Sequence, residues 1–144
     1  MIVYAESSAV LAWLLGEADG TPVRRLLAEA ERVVASTLTP LECARSLARG
    51  VATGRVKDGD DLIARRLLDE ASRGWALLEM GGSVLDLAAR RFPAEPVRTL
   101  DALHLASASV FDEALGDVVV LSLDERIRAV LPDIQFLLLS ADLK

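Results

Sequence analysis

A chain of 144 residues suits one compact domain; at 52% hydrophobic but only 4% aromatic residues, its core must be built of Leu, Val and Ala. Sixteen basic against 22 acidic residues leave a net charge of −6, which gives no support for nonspecific polyanion binding but leaves room for a local basic rim. The one cysteine, Cys43, excludes an internal disulfide and a cysteine-rich zinc site.

Met1 to Glu6 lacks the basic region of a signal peptide, and no uncharged apolar run approaches the ~18 residues of a membrane span, so a cytoplasmic setting is expected. Ile2 to Ala5 reads as a buried strand. Glu6-Ser7-Ser8 ends it and starts a helix through Ala9 to Leu15, closed by Gly16. Asp19 or Thr21, with Pro22 just after, opens a helix over Val23 to Glu31, and Arg32 to Ser36 is a second strand. Thr39-Pro40-Leu41-Glu42 reads as a helix start, with Thr39 as cap, Pro40 first in the helix and Glu42 completing a capping box. That helix runs to about Thr53, where Gly54 ends it. It carries Cys43 as a small core residue.

Asp58-Gly59-Asp60-Asp61 begins the next helix, to Arg73 and Gly74. Trp75 to Met80 is a third strand, and Gly81-Gly82-Ser83 turns into a helix over Val84 to Arg91. A proline-bounded loop, Pro93 to Pro96, leads to a helix that Thr99 caps, with Asp101 in its first turn, ending near Leu115-Gly116. Its Leu and Ala residues surround it almost completely, which predicts a buried helix. Val118 to Leu121 is the clearest strand. Asp124 begins a short helix to Leu131, stopped by Pro132, and Ile134 to Leu139 forms an edge strand.

Strands alternate with helices along the whole chain. That pattern predicts βαβ units and a single α/β domain over residues 1–144. It has three layers, α/β/α, around a mainly parallel sheet of four to five strands. In such a sheet the strand ends that feed helices share one edge, where ligands bind. Glu6, Glu42, Asp101 and Asp124 all fall at such positions. Each alone is explained as a helix-start acid, worth about 0.3–1 kcal/mol. Together they would repel one another unless a divalent cation sat among them.

Ser8 and Ser122 are placed to hold ligands from behind, or to serve as plain helix-start hydroxyls. His104, the one histidine, reads best as a buried packing residue, one turn from Asp101. Arg45, Arg49 and Arg98 are candidates to grip phosphates near the pocket, with solvated helix-face arginines as the default. Trp13 with Leu11, Leu14 and Leu15 exceeds what one short helix needs for a core, although core packing remains the simpler account.

Four blocks then stand in a familiar order: Ile2-Val3-Tyr4-Ala5-Glu6-Ser7-Ser8-Ala9, Pro40-Leu41-Glu42, Arg98 to Ala106, and Val120-Leu121-Ser122-Leu123-Asp124. They resemble the PIN-domain ribonuclease toxins of the VapC type over nearly the whole chain. The resemblance implies a Mg²⁺- or Mn²⁺-dependent endoribonuclease, the toxin of a type II toxin–antitoxin pair. It also implies a homodimer and a small VapB-like antitoxin inserting near the site. Carried over by position, Glu6, Glu42, Asp101 and Asp124 form its acidic quartet, and they would bind the metal and activate water for RNA cleavage. The family almost always has Asp where this chain has Glu6. The longer side chain predicts better function with Mn²⁺ than with Mg²⁺. It also keeps open an alternative, a catalytically weakened PIN fold acting through dimer and antitoxin contacts.

Two other site types do not fit. A phosphoacceptor receiver needs a late lysine, and here Lys144 is the terminus; a dinucleotide site needs Gly-x-Gly-x-x-Gly after the first strand.

Overall fold

The computed structural model describes residues 1–131 and the backbone of Leu137–Leu138. Five strands form one all-parallel sheet in the order β3-β2-β1-β4-β5. They are β1 (Ile2–Ala5), β2 (Arg32–Ser36), β3 (Ala76–Leu78), β4 (Val118–Leu121) and β5 (Leu137–Leu138). The helices are α1 (Ser7–Leu14), α2 (Gly20–Glu29), α3 (Leu38–Ala52), α4 (Asp60–Ser72), α5 (Gly82–Ala89), α6 (Thr99–Leu115) and α7 (Glu125–Val130). The expected stop at Pro132 lies outside the described residues, as does the rest of the strand expected over Ile134 to Leu139.

Alternation along the strands divides the core into two layers. Tyr4, Val34, Val118 and Val120 pack with Leu105 and Ala108 of α6 and with Ile127 and Val130 of α7. On the opposite face Ala5, Val33 and Ala35 pack with Val10 of α1, Cys43 and Leu47 of α3, and Ala64 and Leu68 of α4. Val3 and Leu121 join Ala9 of α1 and Val23 of α2. Helices thus cover both faces, as an all-parallel sheet requires. Leu47, Leu105 and Leu121 are at most 1% exposed, and burying each such side chain contributes about 2 kcal/mol. Gly20 sits where α2 meets α1, and a Cβ there would come 2.5 Å from the Ala12 carbonyl oxygen.

From β1 the chain moves to β2 and β3 on one side, then returns to place β4 on the other side of β1. The direction of winding therefore reverses between β1 and β4, and the crevice beyond their carboxyl ends is where such sheets bind ligands. The register pairs Ala5 with Leu121, and the Glu6 N–H reaches the Leu121 carbonyl at 3.1 Å. Glu6 and Ser122, the next residue on each strand, consequently emerge side by side.

Several expected starts move. The helix expected from Thr39 begins at Leu38, with Thr37 at the cap and no side-chain cap bond. The cause is visible at the end of β2. The Ser36 hydroxyl accepts the Leu38 N–H at 3.0 Å, while the Thr37 N–H still pairs with the Leu78 carbonyl at 3.0 Å. Thr39 is therefore already helical and wholly buried, and its hydroxyl donates to the Ala5 carbonyl at 2.9 Å. No capping box forms, which releases Glu42. Thr99 is likewise inside α6, whose cap position is Arg98. That helix is not buried all round: Leu100 is 50% exposed, and the buried stripe runs through Ala102, His104, Leu105 and Ala108. The third strand keeps only three of its expected residues because it pairs with β2 solely from Val34 to Ser36.

Candidate metal centre

Glu6 follows β1 as the cap of α1, in extended backbone that turns its side chain back over the helix start. It is only 4% exposed. One carboxylate oxygen, Oε2, accepts the Ser8 N–H at 3.1 Å, the Ser122 hydroxyl at 2.7 Å, and the Ser8 hydroxyl. Among the described residues nothing donates to Oε1. Burial, chiefly, pushes the Glu6 carboxyl above its ordinary value, against the opposing influence of His104 and the serines.

Glu42, in the first turns of α3, has the same division of labour. Its Oε1 accepts the Ser7 hydroxyl at 2.7 Å and lies 2.5 Å from His104 Nε2, while no described residue donates to Oε2. Partial burial works to raise this carboxyl, but the bonds from His104 and Ser7 outweigh it and hold the group below its usual value. His104 comes from α6 and is 2% exposed. Its Nδ1 is 2.8 Å from the Tyr4 hydroxyl, and its Nε2 is also 3.3 Å from the Ser7 hydroxyl. Tyr4 is fully buried, and its phenol is held far above its ordinary pKa by that burial.

Glu6, Glu42 and His104 each bring one ligand-type atom into a group spanning no more than 4.8 Å. Asp101 and Asp124 are not in that group. Asp124 caps α7 through a 2.9 Å bond from the Arg126 N–H, and Arg126 Nε lies 3.5 Å from its carboxylate. Asp101 sits in the first turn of α6. Its carboxyl is raised, first by burial and next by the charge of Asp124, while Arg126, His104 and Arg98 pull the other way. Asp124 also bears on Glu42. The two aspartates therefore feel each other and the Glu42–His104 pair across one edge of the sheet.

The PIN domain family model matches residues 3–131. The chain is a PIN domain. It is 34% identical over 126 residues to Ribonuclease VapC46 of Mycobacterium tuberculosis, a match covering 88% of this chain and 87% of that one. Among solved structures it is similar to PAE2754 from Pyrobaculum aerophilum, at 20% identity and TM-score 0.62, covering 96% of this chain and 83% of that one. FitAB bound to an IR36 DNA fragment gives 14% identity and TM-score 0.67, covering 96% and 93%. VapC20 of Mycobacterium tuberculosis, a sarcin-ricin loop cleaving toxin, gives 17% identity and TM-score 0.64, covering 88% and 93%. At these identities the structures share the fold.

Other expected residues of this PIN domain fall as follows. Ser8 and Ser122 both hold Glu6, and they lie 3.3 Å from each other. Ser7 was not singled out in the sequence, yet it bonds Glu42; a serine two places after the strand carries no signal that separates it from Ser8. His104 is buried and hydrogen-bonded, as its apolar sequence setting implies, and its ring also touches Glu42. Arg45 and Arg49 are exposed on α3, three and seven residues after Glu42 and so on its side of the helix. Arg98 and Arg126 flank Asp101 and Asp124, and both are exposed. Cys43 is buried with its thiol pushed up to about 12, by burial and then by the charges of Glu42 and Glu6. It is a core residue, as its sequence setting implies.

Beside the centre, α1, α3 and α4 enclose a groove of about 1080 Å³. Ser8, the apolar Leu11, Leu15 and Ile63, and the basic Arg49 and Lys57 are among the residues that line it. Leu15 and Ile63 are 41% and 63% exposed. Leu14, at the end of α1, joins the core and also borders the groove, and Leu15, the cap residue after it, lines the groove as well. No described helix is long and apolar enough to cross a membrane.

Proposed function

We propose that this PIN domain is a divalent-metal-dependent endoribonuclease, the toxin of a toxin–antitoxin pair. The observation that carries the reading is the paired arrangement of Glu6 and Glu42. In each, one oxygen is anchored by protein donors and the other has no donor among the described residues. Two half-satisfied carboxylates, in a group spanning no more than 4.8 Å, repel unless a cation takes the free oxygens. Oxygen donors suit Mg²⁺ or Mn²⁺, and the identity to a ribonuclease agrees.

Glu6 and Glu42 would hold the ion, with Asp101 and Asp124 completing the acidic quartet at the mouth. Bound there, a divalent cation lowers the pKa of water toward neutrality and neutralises charge on the phosphodiester. The chain supplies the rest. Ser7, Ser8 and Ser122 fix the orientation of the two carboxylates. Arg45, Arg49, Arg98 and Arg126 are positioned to take phosphates as point charges or forks around the acidic centre. The groove between α1, α3 and α4 fits a partner segment with apolar side chains, and the reading assigns it to a small VapB-like antitoxin. The protein is read as a cytoplasmic homodimer, with residues 1–144 as one domain. The anchored Glu6 favours this reading over a weakened binding module, because its extra methylene still leaves one oxygen free.

Purified protein incubated with end-labelled RNA tests the reading. Cleavage requires Mg²⁺ or Mn²⁺, stops with EDTA, and is lost in Asp101→Asn. Undiminished cleavage by the Asn variant would place the activity elsewhere. Expression that arrests growth, relieved by the same substitution, is the cellular counterpart.

A further inference from the structure

His104 plays no part in the quartet, yet it is the residue that ties the two halves of the centre together. It comes from α6, on the face opposite α3, and it is 2% exposed. Both ring nitrogens are engaged. Nε2 faces Glu42 Oε1 at 2.5 Å and Ser7 Oγ at 3.3 Å; Nδ1 faces the Tyr4 hydroxyl at 2.8 Å.

The position of the ring proton follows from what faces Nε2. Tyr4 is fully buried; its hydroxyl meets His104 Nδ1 at 2.8 Å, and the Ser107 side chain and the Ser36 backbone also bear on it. If Nδ1 carried the ring proton, a bare Nε2 would face the Glu42 carboxylate oxygen at 2.5 Å, lone pair against lone pair. Nδ1 is therefore bare and accepts from the phenol, and the ring proton belongs on Nε2. From there it points at a carboxylate oxygen, the better acceptor of its two neighbours. The Ser7 hydroxyl then gives its proton to the same oxygen at 2.7 Å.

We propose that His104 is a positioning residue: held as its Nε2–H tautomer between Glu42 and Tyr4, it donates to Glu42 Oε1 and leaves Oε2 as the oxygen that takes a cation. This rests on the metal-centre reading given above. It assigns the ring a role distinct from ligation, because an imidazole that ligates through Nε2 must carry its proton on Nδ1. The arrangement reaches from the floor of the sheet to the centre: Tyr4 of β1, His104 of α6, Glu42 of α3. Each link joins a different element, so a shift of α6 is felt at Glu42.

The chain has a single histidine, so its imidazole nitrogens can be read without assignment. In ¹⁵N-labelled, metal-free protein near pH 7, long-range ¹H–¹⁵N spectra should show Nε2 protonated and Nδ1 bare. The reverse order, or two protonated nitrogens, would overturn the proposal. Saturation with Mg²⁺ should leave Nε2 protonated; loss of that proton would make His104 a ligand instead. Calorimetric titration with Mn²⁺ supplies the second readout. Replacing an outer partner of a ligand costs about 10–100-fold in metal affinity, and His104→Leu should fall in that range. His104→Gln, whose amide N–H lies near the Nε2 position, should stay within about threefold of the parent.

Equal affinities in parent and His104→Leu, or equal losses in Leu and Gln, would return His104 to a packing role. Should His104→Leu fail to fold, Tyr4→Phe keeps the ring and removes only the hydroxyl. The proposal expects the Nδ1 resonance to move in Tyr4→Phe while Nε2 keeps its proton, and it fails if the proton moves to Nδ1. A parent that binds no Mn²⁺ and cleaves no RNA would end the metal-nuclease reading. The tautomer spectrum would still decide the bond to Glu42.

Discussion

Glu6 Oε2 and Ser122 Oγ lie 2.7 Å apart, joining the residues that follow β1 and β4 across the point where the winding of the sheet reverses. The bond depends on the register of Ala5 with Leu121. A slip of one residue would turn both side chains to opposite faces. Strand pairing and site geometry are thus one fact here, and Ser122→Ala tests it. The variant deletes one of the donors on a buried carboxylate, at a cost of about 1–3 kcal/mol. Its thermal midpoint should fall by several degrees, and its affinity for Mn²⁺ should fall with it. An unchanged midpoint would mean that the Ser8 bonds alone hold Glu6.

Glu6 also fixes the sign of a stability difference with pH. Its carboxyl is raised in the folded protein, mainly by burial. Such a group takes up protons on folding, so it favours the fold below its folded pKa and opposes it as pH rises through that value. Glu6→Gln removes the buried charge, while its carbonyl still accepts from Ser8 and Ser122. In metal-free protein the Gln variant should therefore melt higher than the parent near pH 7, on the order of 1 kcal/mol. The difference should vanish as pH falls toward the ordinary carboxylate range. A gap that persists at low pH would have a packing origin.

The sheet was legible in the sequence because it is written in runs. Val118 to Leu121 and Ile2 to Ala5 are short, apolar and bounded, and both are strands. The centre was half legible. Glu6 and Glu42 stand at helix starts, and position alone points to one edge. Thr39 and Glu42 spell a capping box, but spelling cannot reveal that Ser36 accepts the Leu38 N–H and starts the helix earlier. His104 was hidden for a different reason. It is surrounded in sequence by Leu and Ala, so it reads as core, and it is indeed buried. Only the placement of α6 against the carboxyl end of β1 shows that its ring spans Tyr4 and Glu42. Ser7 depended in the same way on where α3 packs.

Asp101 is raised by burial and by Asp124, which predicts an acid limb in the pH dependence of cleavage. If cleavage needs Asp101 and Glu6 as carboxylates, the rate should fall as pH drops through values above the ordinary range for these groups, approaching about tenfold per pH unit below the first and about a hundredfold below both. Because a cation favours the ionised form, higher Mn²⁺ should move that limb to lower pH. A pH–rate profile at two Mn²⁺ concentrations checks both statements. A limb that ignores Mn²⁺ would detach these carboxyls from the metal.

Arg98 and Arg126 bracket the two aspartates and are exposed. Their value should lie in phosphate contact more than in stability, since exposed ion pairs such as Arg126–Asp124 contribute about 0–1 kcal/mol. With Asp101→Asn used to prevent cleavage, RNA affinity should fall steeply with salt. Each phosphate contact to single-stranded RNA adds about 0.7 to the slope of log affinity against log salt. Arg98→Ala and Arg126→Ala should each lower that slope by roughly that amount. Weaker binding with an unchanged slope would mean a contact to bases or to protein.

Glu6 is the residue at which this PIN domain departs from the usual aspartate, and the geometry says where the extra methylene goes. The carboxylate reaches past the helix start to Ser122 while its Oε2 still caps α1. Asp at this position would keep the cap, which it favours by nature. It would draw away from Ser122 and leave a small void, costing stability of about 1 kcal/mol. In exchange its free oxygen would be less tightly levered by the serines and better able to meet the near-octahedral demand of Mg²⁺. The parent should accordingly work better with Mn²⁺ than with Mg²⁺, and Glu6→Asp should narrow that gap while melting lower. Glu6→Gln should retain the serine bonds, place an amide N–H where the second oxygen was, and lose metal affinity by tenfold or about 1.4 kcal/mol at least. Calorimetric titration of Mg²⁺ and Mn²⁺ into the three forms, at one pH and salt, measures all of this. If Gln binds either ion as tightly as the parent, Glu6 serves only the α1 cap and the Ser122 bond, and the ion is held from Glu42, Asp101 and Asp124.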